Sequence, residues 1–409
     1  MLEVFELKCS IQKYYWGKKG MESEVSRLSL AGGHIDSVDE QQTYAELWMG
    51  TLDKGMAKVK ANGQDLKCWL DVNLEALGDA SRAKFGNNLP FLLKVLSINS
   101  ALSIQVHPDK ECAAKLHKKF PELYQDSNHK PEIAIALSDF EALCGFRPYT
   151  EIKIFLEGTS EIPEFKVIIG SDLIDQFKKN NSDDQTLIKH IFYKLMTTDK
   201  DIIKQSIIYH KNKLKELEIA QKEIYLEKLF CQLDCWYPGD VGCFCIYFLN
   251  YIKLSPGQAI YLDANVPHAY INGDCIECMA CSDNVIRAGL TTKFIDVKTL
   301  CETMNYNGAP AESKLFYGVR ENVCTTLFKP PVLDFAVAYI EIPPNTTYDI
   351  TVRHVASIVL VFHGECTVNG PSSHFIFSKG KVIFIPANVP VKIIAGSEIV
   401  CIYQAFANV

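Results

Sequence analysis

Apolar and polar positions alternate in short runs over much of this chain, and glycine or proline turns separate the runs. Ala259-Ile260-Tyr261-Leu262 and Leu102-Ser103-Ile104-Gln105-Val106-His107 are examples. Successive side chains on a strand point to opposite faces, so this alternation predicts short strands with one buried face. The pattern also repeats. Residues Pro256 to Tyr270 align without gaps onto Lys379 to Ile393, with a glycine, an isoleucine and the run Ala-Asn-Val-Pro in register. Each copy has a glycine turn, an alternating strand, and a second turn feeding another strand. Short strands between such turns indicate a sandwich or jelly roll, and the repeat predicts two of them. His268 in the first copy corresponds to Val391 in the second.

Between about 150 and 230 the period changes. Ser182-Asp183-Asp184-Gln185 has capping-box spacing, and Leu187, Ile191 and Leu195 recur at i, i+4 and i+8. Asp199 to Phe230 continues as a charged helical pattern through Leu214, Leu217 and Leu226. The expected fold is therefore mainly β: two jelly-roll barrels with a helical insertion domain. The first barrel is expected to occupy 1–150 and 231–300, the insertion 151–230, and a degenerate second barrel 301–409.

Composition narrows the classes of partner. The chain has 409 residues, 48% of them hydrophobic and 22% charged, an ordinary globular balance with ample core. A net charge of −7 argues against nucleic acid, whose phosphate backbone needs a concentrated basic surface. No apolar run approaches the ~18 residues of a membrane span, and Met1 to Lys8 has early acids where a signal peptide would be apolar. The 15 cysteines are an odd number, expected to stay reduced in the cytoplasm. Cys275, Cys278 and Cys281 have a metal-like spacing but lie in an apolar run without a suitably spaced fourth soft ligand, so they read as buried structural thiols.

Three segments carry candidate chemistry. On a strand, Gln105 and His107 share a face, and so do Lys130 and Glu132 in His129-Lys130-Pro131-Glu132. Pro267-His268-Ala269-Tyr270, expected to close the strand Ala259 to Leu262, supplies a second imidazole. A glutamine oxygen, two imidazoles and a carboxylate form an N/O set suited to Zn²⁺, one per chain.

At these residues the sequence resembles type I mannose-6-phosphate isomerase (phosphomannose isomerase), of the cupin superfamily. The resemblance runs nearly end to end and includes Tyr15-Trp16-Gly17, Tyr44 to Thr51, Pro90 to Lys110, His129 to Leu137, Gly145 to Pro148, and Glu277 to Val297. It implies cupin-like barrels, zinc ligands at Gln105, His107, Glu132 and His268, and an active-site arginine at Arg287. It implies interconversion of mannose 6-phosphate and fructose 6-phosphate, feeding mannose activation (GDP-mannose synthesis) for glycosylation. The chain departs from the family pattern at Leu52-Asp53, where His-Pro is usual, and at Thr292, where proline is usual.

Moving a proton between adjacent sugar carbons needs an electrophile, an acid/base group and a phosphate anchor. A lysine beside a metal charge loses proton affinity, which makes Lys130 a candidate base, with Glu277 its rival. Arg287 does not deprotonate and suits an enediolate or a phosphate. Lys94, Ser103, Tyr270, Asp283 and Lys293 are candidate substrate contacts, and a monomer is expected. Two other readings share part of this evidence. His107, Glu132 and His268 alone are the ligand triad of Fe(II) oxygenases, and a non-catalytic sugar-binding cupin would keep the same barrel.

Overall fold

The computed structural model describes residues 2–157, 163–179 and 185–409. The expected capping box at Ser182 to Asp184 lies outside the described residues. The fold is mostly sheet, with a block of helices inserted between strands.

An eleven-stranded sheet holds the segments singled out in the sequence. Its main path runs Leu315–Phe316, Ala259–Leu262, Glu132–Ala136, His268–Ala280, Phe91–Ile98, Glu46–Met49 and Ser10–Gln12. His268–Ala280 is a strand of its own, so His268 opens it and does not close Ala259–Leu262, as the sequence had suggested. Asn265 in the intervening turn has φ 65° and Asn388 in the repeat has φ 63°. Gly257 and Gly380, at φ 86° and 87°, match in the same way. The repeat thus encodes two left-handed turn positions that only glycine and asparagine tolerate easily.

The long strand serves two sets of neighbours. Residues before Gly273 pair with Phe140–Phe146 and with Gln105, whereas Gly273 onward pairs with Phe91–Ile98, and Cys275 to Met279 also pair with Glu132–Ala136. Gly273 has φ 111°, and a Cβ there would come within 2.5 Å of the Asp139 carbonyl oxygen. A register shift in the same stretch bends the strand and brings both of its halves around one apolar cluster, which includes Leu96, Ala134, Ala142, Ile252, Tyr270 and Cys275.

An eight-stranded sheet follows, in the order Val319–Arg320, Thr325–Phe328, Ala336–Ile342, Val400–Phe406, Ser357–His363, Val382–Ile385, Phe5–Lys8 and Lys58–Val59. Phe5–Lys8, counted in the sequence with the first barrel, therefore pairs with a C-terminal strand. One buried cluster joins the two large sheets, through Leu93, Val95, Ile133 and Ile276 on one side and Val337, Ile358, Leu360 and Phe384 on the other. The far face of the eight-stranded sheet packs on a four-stranded sheet through Val359, Ile383, Val368 and Ile393.

Helices run from Tyr149 to Cys245. Leu187, Ile191 and Leu195 lie on Gln185–Thr197 as expected, with Ile191 and Leu195 fully buried. The longer pattern is broken. Asp199 caps Lys200–Glu216 by accepting from the Asp201 and Ile202 amides, and the helix stops at Leu217. Leu226, at φ 53°, precedes a separate helix, Glu227–Trp236.

All 15 cysteines are free. Cys275 faces one core cluster and Cys278 another, because three positions along a strand reverse the face. Burial pushes both thiols up, which suits inert packing rather than metal ligation.

Candidate metal centre and the adjoining cleft

Strand pairing gathers the ligand candidates. Gln105 lies directly opposite His268 on one side and Arg287 on the other, so the three share a face. His107 follows two residues on, and the paired strands deliver Glu132 from across the sheet. His107, Glu132 and His268 are each about 1% exposed, and one ligand atom from each lies within 4.8 Å of the others. His107 Nε2 is 3.5 Å from Glu132 Oε1, and His268 Nε2 is 3.6 Å from Glu132 Oε2.

The outer ring nitrogens are already engaged. His107 Nδ1 lies 2.7 Å from the Asn284 carbonyl and His268 Nδ1 lies 2.9 Å from that of Val266. Carbonyls accept only, so each Nδ1 carries the proton and each Nε2 presents a lone pair inward. Both Nε2 atoms and Glu132 Oε2 are buried without a hydrogen-bond partner among the described residues, and Glu132 Oε1 meets the Lys130 ammonium. Three inward-facing ligand atoms left unpaired at one point would be destabilising in an empty core and fit a bound cation. Burial, and then Lys130, lowers His107 to about 4, so its imidazole is neutral at pH 7. Burial opposes ionisation of Glu132, yet the Lys130 charge, with contacts to His107 and His268, holds it well below the usual carboxylate range. Lys130 Nζ lies 2.6 Å from Glu132 Oε1.

A second row of charge crosses the same sheet. Glu277 is opposite both Lys94 and Ala134, and Lys94 is opposite Trp48. Lys94 Nζ is 2.8 Å from Glu277 Oε2, 3.5 Å from Glu46 Oε2 and 5.2 Å from the centre of the Trp48 ring. Burial pushes Glu277 up from the usual carboxylate range, against the pull of Lys94. Burial would lower Lys94, but Glu277 and Glu46 more than offset it and hold the ammonium charged. Tyr270 is buried nearby, its hydroxyl facing Glu277 without a well-formed hydrogen bond.

Beside the ligands opens a cleft of about 210 Å³, lined by Tyr14, Tyr15, Trp16, Glu46, Ser103, Gln105, Arg287, Thr291 and Lys293. Burial lowers Arg287, and burial with the like charges of Arg287 and Lys54 lowers Lys293. Arg287 and Lys293 face this cleft, and among the described residues neither is in an ion pair, although Glu46 lines the same wall. Thr291 and Lys293 also line a larger cavity of about 760 Å³ against the helices. Asp283 stands apart, exposed and paired with Lys54 at 2.7 Å. Leu52 packs with Trp48, Leu92 and Met279, next to that exposed pair.

Sequence reasoning did not single out Tyr14, Glu46 or Thr291 as site residues. Glu46 had a signal, because it is an acid inside the apolar run Ala45 to Met49. Tyr15 and Trp16 belong to a motif noted in the sequence, but their place in the cleft wall depends on long-range pairing.

A buried two-histidine, one-carboxylate centre on a sheet, next to a cationic cleft, defines a metal-binding β protein. Family comparison sharpens this. Residues 4–149 match the phosphomannose isomerase type I catalytic domain, and residues 168–249 match the helical insertion domain of the same type. Mannose-6-phosphate isomerase of Bos taurus is 44% identical over 404 residues, covering 95% of each chain. Mannose-6-phosphate isomerase 2 of Arabidopsis thaliana is 40% identical, covering 98% of this chain and 93% of its own. A crystal structure of mannose 6-phosphate isomerase bound with zinc and yttrium superposes with a TM-score of 0.84 at 29% identity, covering 99% of this chain and 100% of the other. The chain belongs to the type I phosphomannose isomerase family.

Proposed function

We propose that this chain interconverts mannose 6-phosphate and fructose 6-phosphate with one zinc ion held by Gln105, His107, Glu132 and His268. The observation that carries the reading is the buried cluster of ligand atoms on His107, Glu132 and His268, set beside two cations that have no ion-pair partner among the described residues. Membership of the family and the full-length similarity to mannose-6-phosphate isomerases support the substrate.

When bound, zinc supplies Lewis acidity toward the sugar's carbonyl or hydroxyl oxygen. Arg287 lies on the same sheet face as Gln105, where its guanidinium balances the negative charge of an enediolate. Lys293 and Ser103, on the wall of the cleft, anchor the phosphate. Lys130, in ion-pair contact with Glu132, exchanges the proton between the two carbons. Glu277, with Lys94 and Glu46, forms a buried charged wall that keeps the sugar end dry and fixed, and the Tyr270 hydroxyl meets the sugar there. Asp283 acts on the substrate indirectly, by pairing Lys54 near the mouth.

In this reading residues 1–150 and 231–300 form a catalytic cupin barrel, 151–230 an insertion domain, and 301–409 a degenerate cupin barrel. The matched turns at Asn265 and Asn388 support two related barrels. All the proposed ligands and cations come from one chain, so a monomer suffices. No described helix is long and apolar enough to cross a membrane, and 15 unpaired thiols suit the cytoplasm.

A coupled isomerase assay on zinc-loaded and chelator-treated protein tests the function, and full activity without metal ends this reading. Lys130→Arg tests the base, since it keeps charge but releases no proton. Turnover is expected to collapse while phosphosugar binding survives. Wild-type solvent-proton exchange in Lys130→Arg would move the role to Glu277.

A further inference from the structure

Leu290 has φ 53°, a conformation that a residue with a Cβ adopts only when its surroundings enforce it. The enforcing group belongs to the end of the helical block that runs from Tyr149 to Cys245. The Leu290 amide donates to Asp240 Oδ1 at 2.7 Å, and the Thr291 amide donates to Oδ2 at 3.3 Å. Oδ1 also accepts from the Gly242 amide at 2.7 Å, which fixes the carboxylate on its own turn. The two backbones approach so closely that a Cβ on Gly242 would sit 2.7 Å from the Leu290 nitrogen, and one on Gly289 would sit 2.8 Å from the Gly242 Cα.

The other side of the cleft is held from the same segment. The Tyr237 hydroxyl donates to the Ala101 carbonyl at 2.6 Å and lies 3.0 Å from that of Tyr15. Ala101 leads directly into Ser103 and Gln105, while Leu290 leads into Thr291 and Lys293. One short stretch near the end of the helical block thus touches both walls of the cleft.

We infer that Asp240 is a positioning residue for the isomerase reaction, holding the loop from Leu290 to Lys293 so that Thr291 and Lys293 meet the phosphate end of the sugar; this rests on the function proposed above. Asp240 touches no substrate. Its carboxylate fixes two consecutive amides, and the left-handed turn they define aims the next three side chains. The contact the loop makes with phosphate is present in ground state and transition state alike. Loss of Asp240 therefore weakens binding more than it slows turnover.

The test uses zinc-loaded full-length protein with Asp240→Ala, Asp240→Asn and, as a control on an exposed helix end, Glu216→Ala. Asp240→Ala is expected to raise KM for mannose 6-phosphate about tenfold with kcat changed less than about threefold. Asp240→Asn keeps one acceptor oxygen, so its KM should fall between wild type and alanine, and Glu216→Ala should match wild type. Trypsin cleavage after Lys293 should accelerate in the order wild type, Asn, Ala. If the alanine variant fails to fold, the asparagine variant carries both readouts. KM within about twofold of wild type with an unchanged cleavage rate overturns the proposal, as does a loss confined to kcat. An inactive wild-type enzyme would refute the function instead, and the cleavage rates would still decide the role of Asp240.

Discussion

Replacing Lys94 by methionine tests how the buried charges beside the metal centre are balanced. Methionine keeps the volume and the apolar stem but removes an ammonium that lies 2.8 Å from Glu277 and 3.5 Å from Glu46. The side chains of Lys94 and Glu277 are 7% and 4% exposed, so water cannot replace the lost partner. At an effective dielectric of ~20 a contact of this length is worth roughly 6 kcal/mol before desolvation. Breaking a buried pair typically leaves a net destabilisation of about 3–5 kcal/mol. The loss should depend on pH. Without Lys94, Glu277 holds its proton to a higher pH in the folded chain than in the unfolded one, where it titrates near ~4.3. A raised folded value means that stability is fully present below the unfolded value and is lost as pH rises toward the folded one. Glu277 is already raised in the wild type, so the two proteins lose stability in parallel up to the wild-type folded value. Only between that value and the variant's higher one should the variant fall behind, by about 1.4 kcal/mol per pH unit. Urea denaturation of both proteins at several pH values measures this. Lys94→Met/Glu277→Leu should recover most of the stability, because the orphaned carboxylate is gone. Wild-type stability in the single variant, or a double variant weaker than the single one, would refute this account of the charge row.

His268→Ala should lower zinc content further than Gln105→Ala, because imidazole is the stronger donor; metal analysis after dialysis against a weak chelator decides. Arg287→Lys keeps the charge but loses the planar fork, and kcat/KM should drop by at least about tenfold with zinc content unchanged. His34 is buried, with the Cys9 amide 3.1 Å from its Nδ1 and the Gly380 carbonyl 3.0 Å from its Nε2. Burial lowers it to about 4, so its contribution is complete above the unfolded value of ~6.5 and disappears as pH falls toward 4. Denaturation curves for wild type and His34→Gln should therefore converge by up to about 3 kcal/mol between pH 7 and pH 4.

Much of the site was legible because strand periodicity is local. Gln105 with His107, and Lys130 with Glu132, were grouped by the rule that alternate residues share a face; the structure brings these segments together, although His107 lies just past the strand Ile104–Val106 and Lys130 just before Glu132–Ala136. The turn at Asn265 was visible as half of a repeat. What the sequence hid was pairing at a distance. Nothing near Lys94 announces Glu277 as its neighbour, although a lysine in an apolar strand had to find some partner. The bend at Gly273 was hidden for the same reason, since a glycine in a strand signals close approach without naming what approaches. Helix ends were misread where charge masked the breaks: Leu217 and Leu226 keep an apolar spacing but sit at a helix terminus and in a left-handed turn.

The pairing of Phe5–Lys8 with Val382–Ile385 sets an order of events during synthesis. The first strand leaves the ribosome early, but Phe384, the partner of Phe5, is made about 20–75 s later at ordinary elongation rates. The segments bearing Gln105, Glu132, His268 and Arg287 are complete before that time. Until the last quarter of the chain emerges, Phe5–Lys8 has one edge unpaired, and Leu93, Val95 and Ile133 lack the apolar face that covers them. The nascent chain can therefore collect all its metal ligands while an apolar face and a strand edge are still uncovered, which makes this interval the one most open to aggregation.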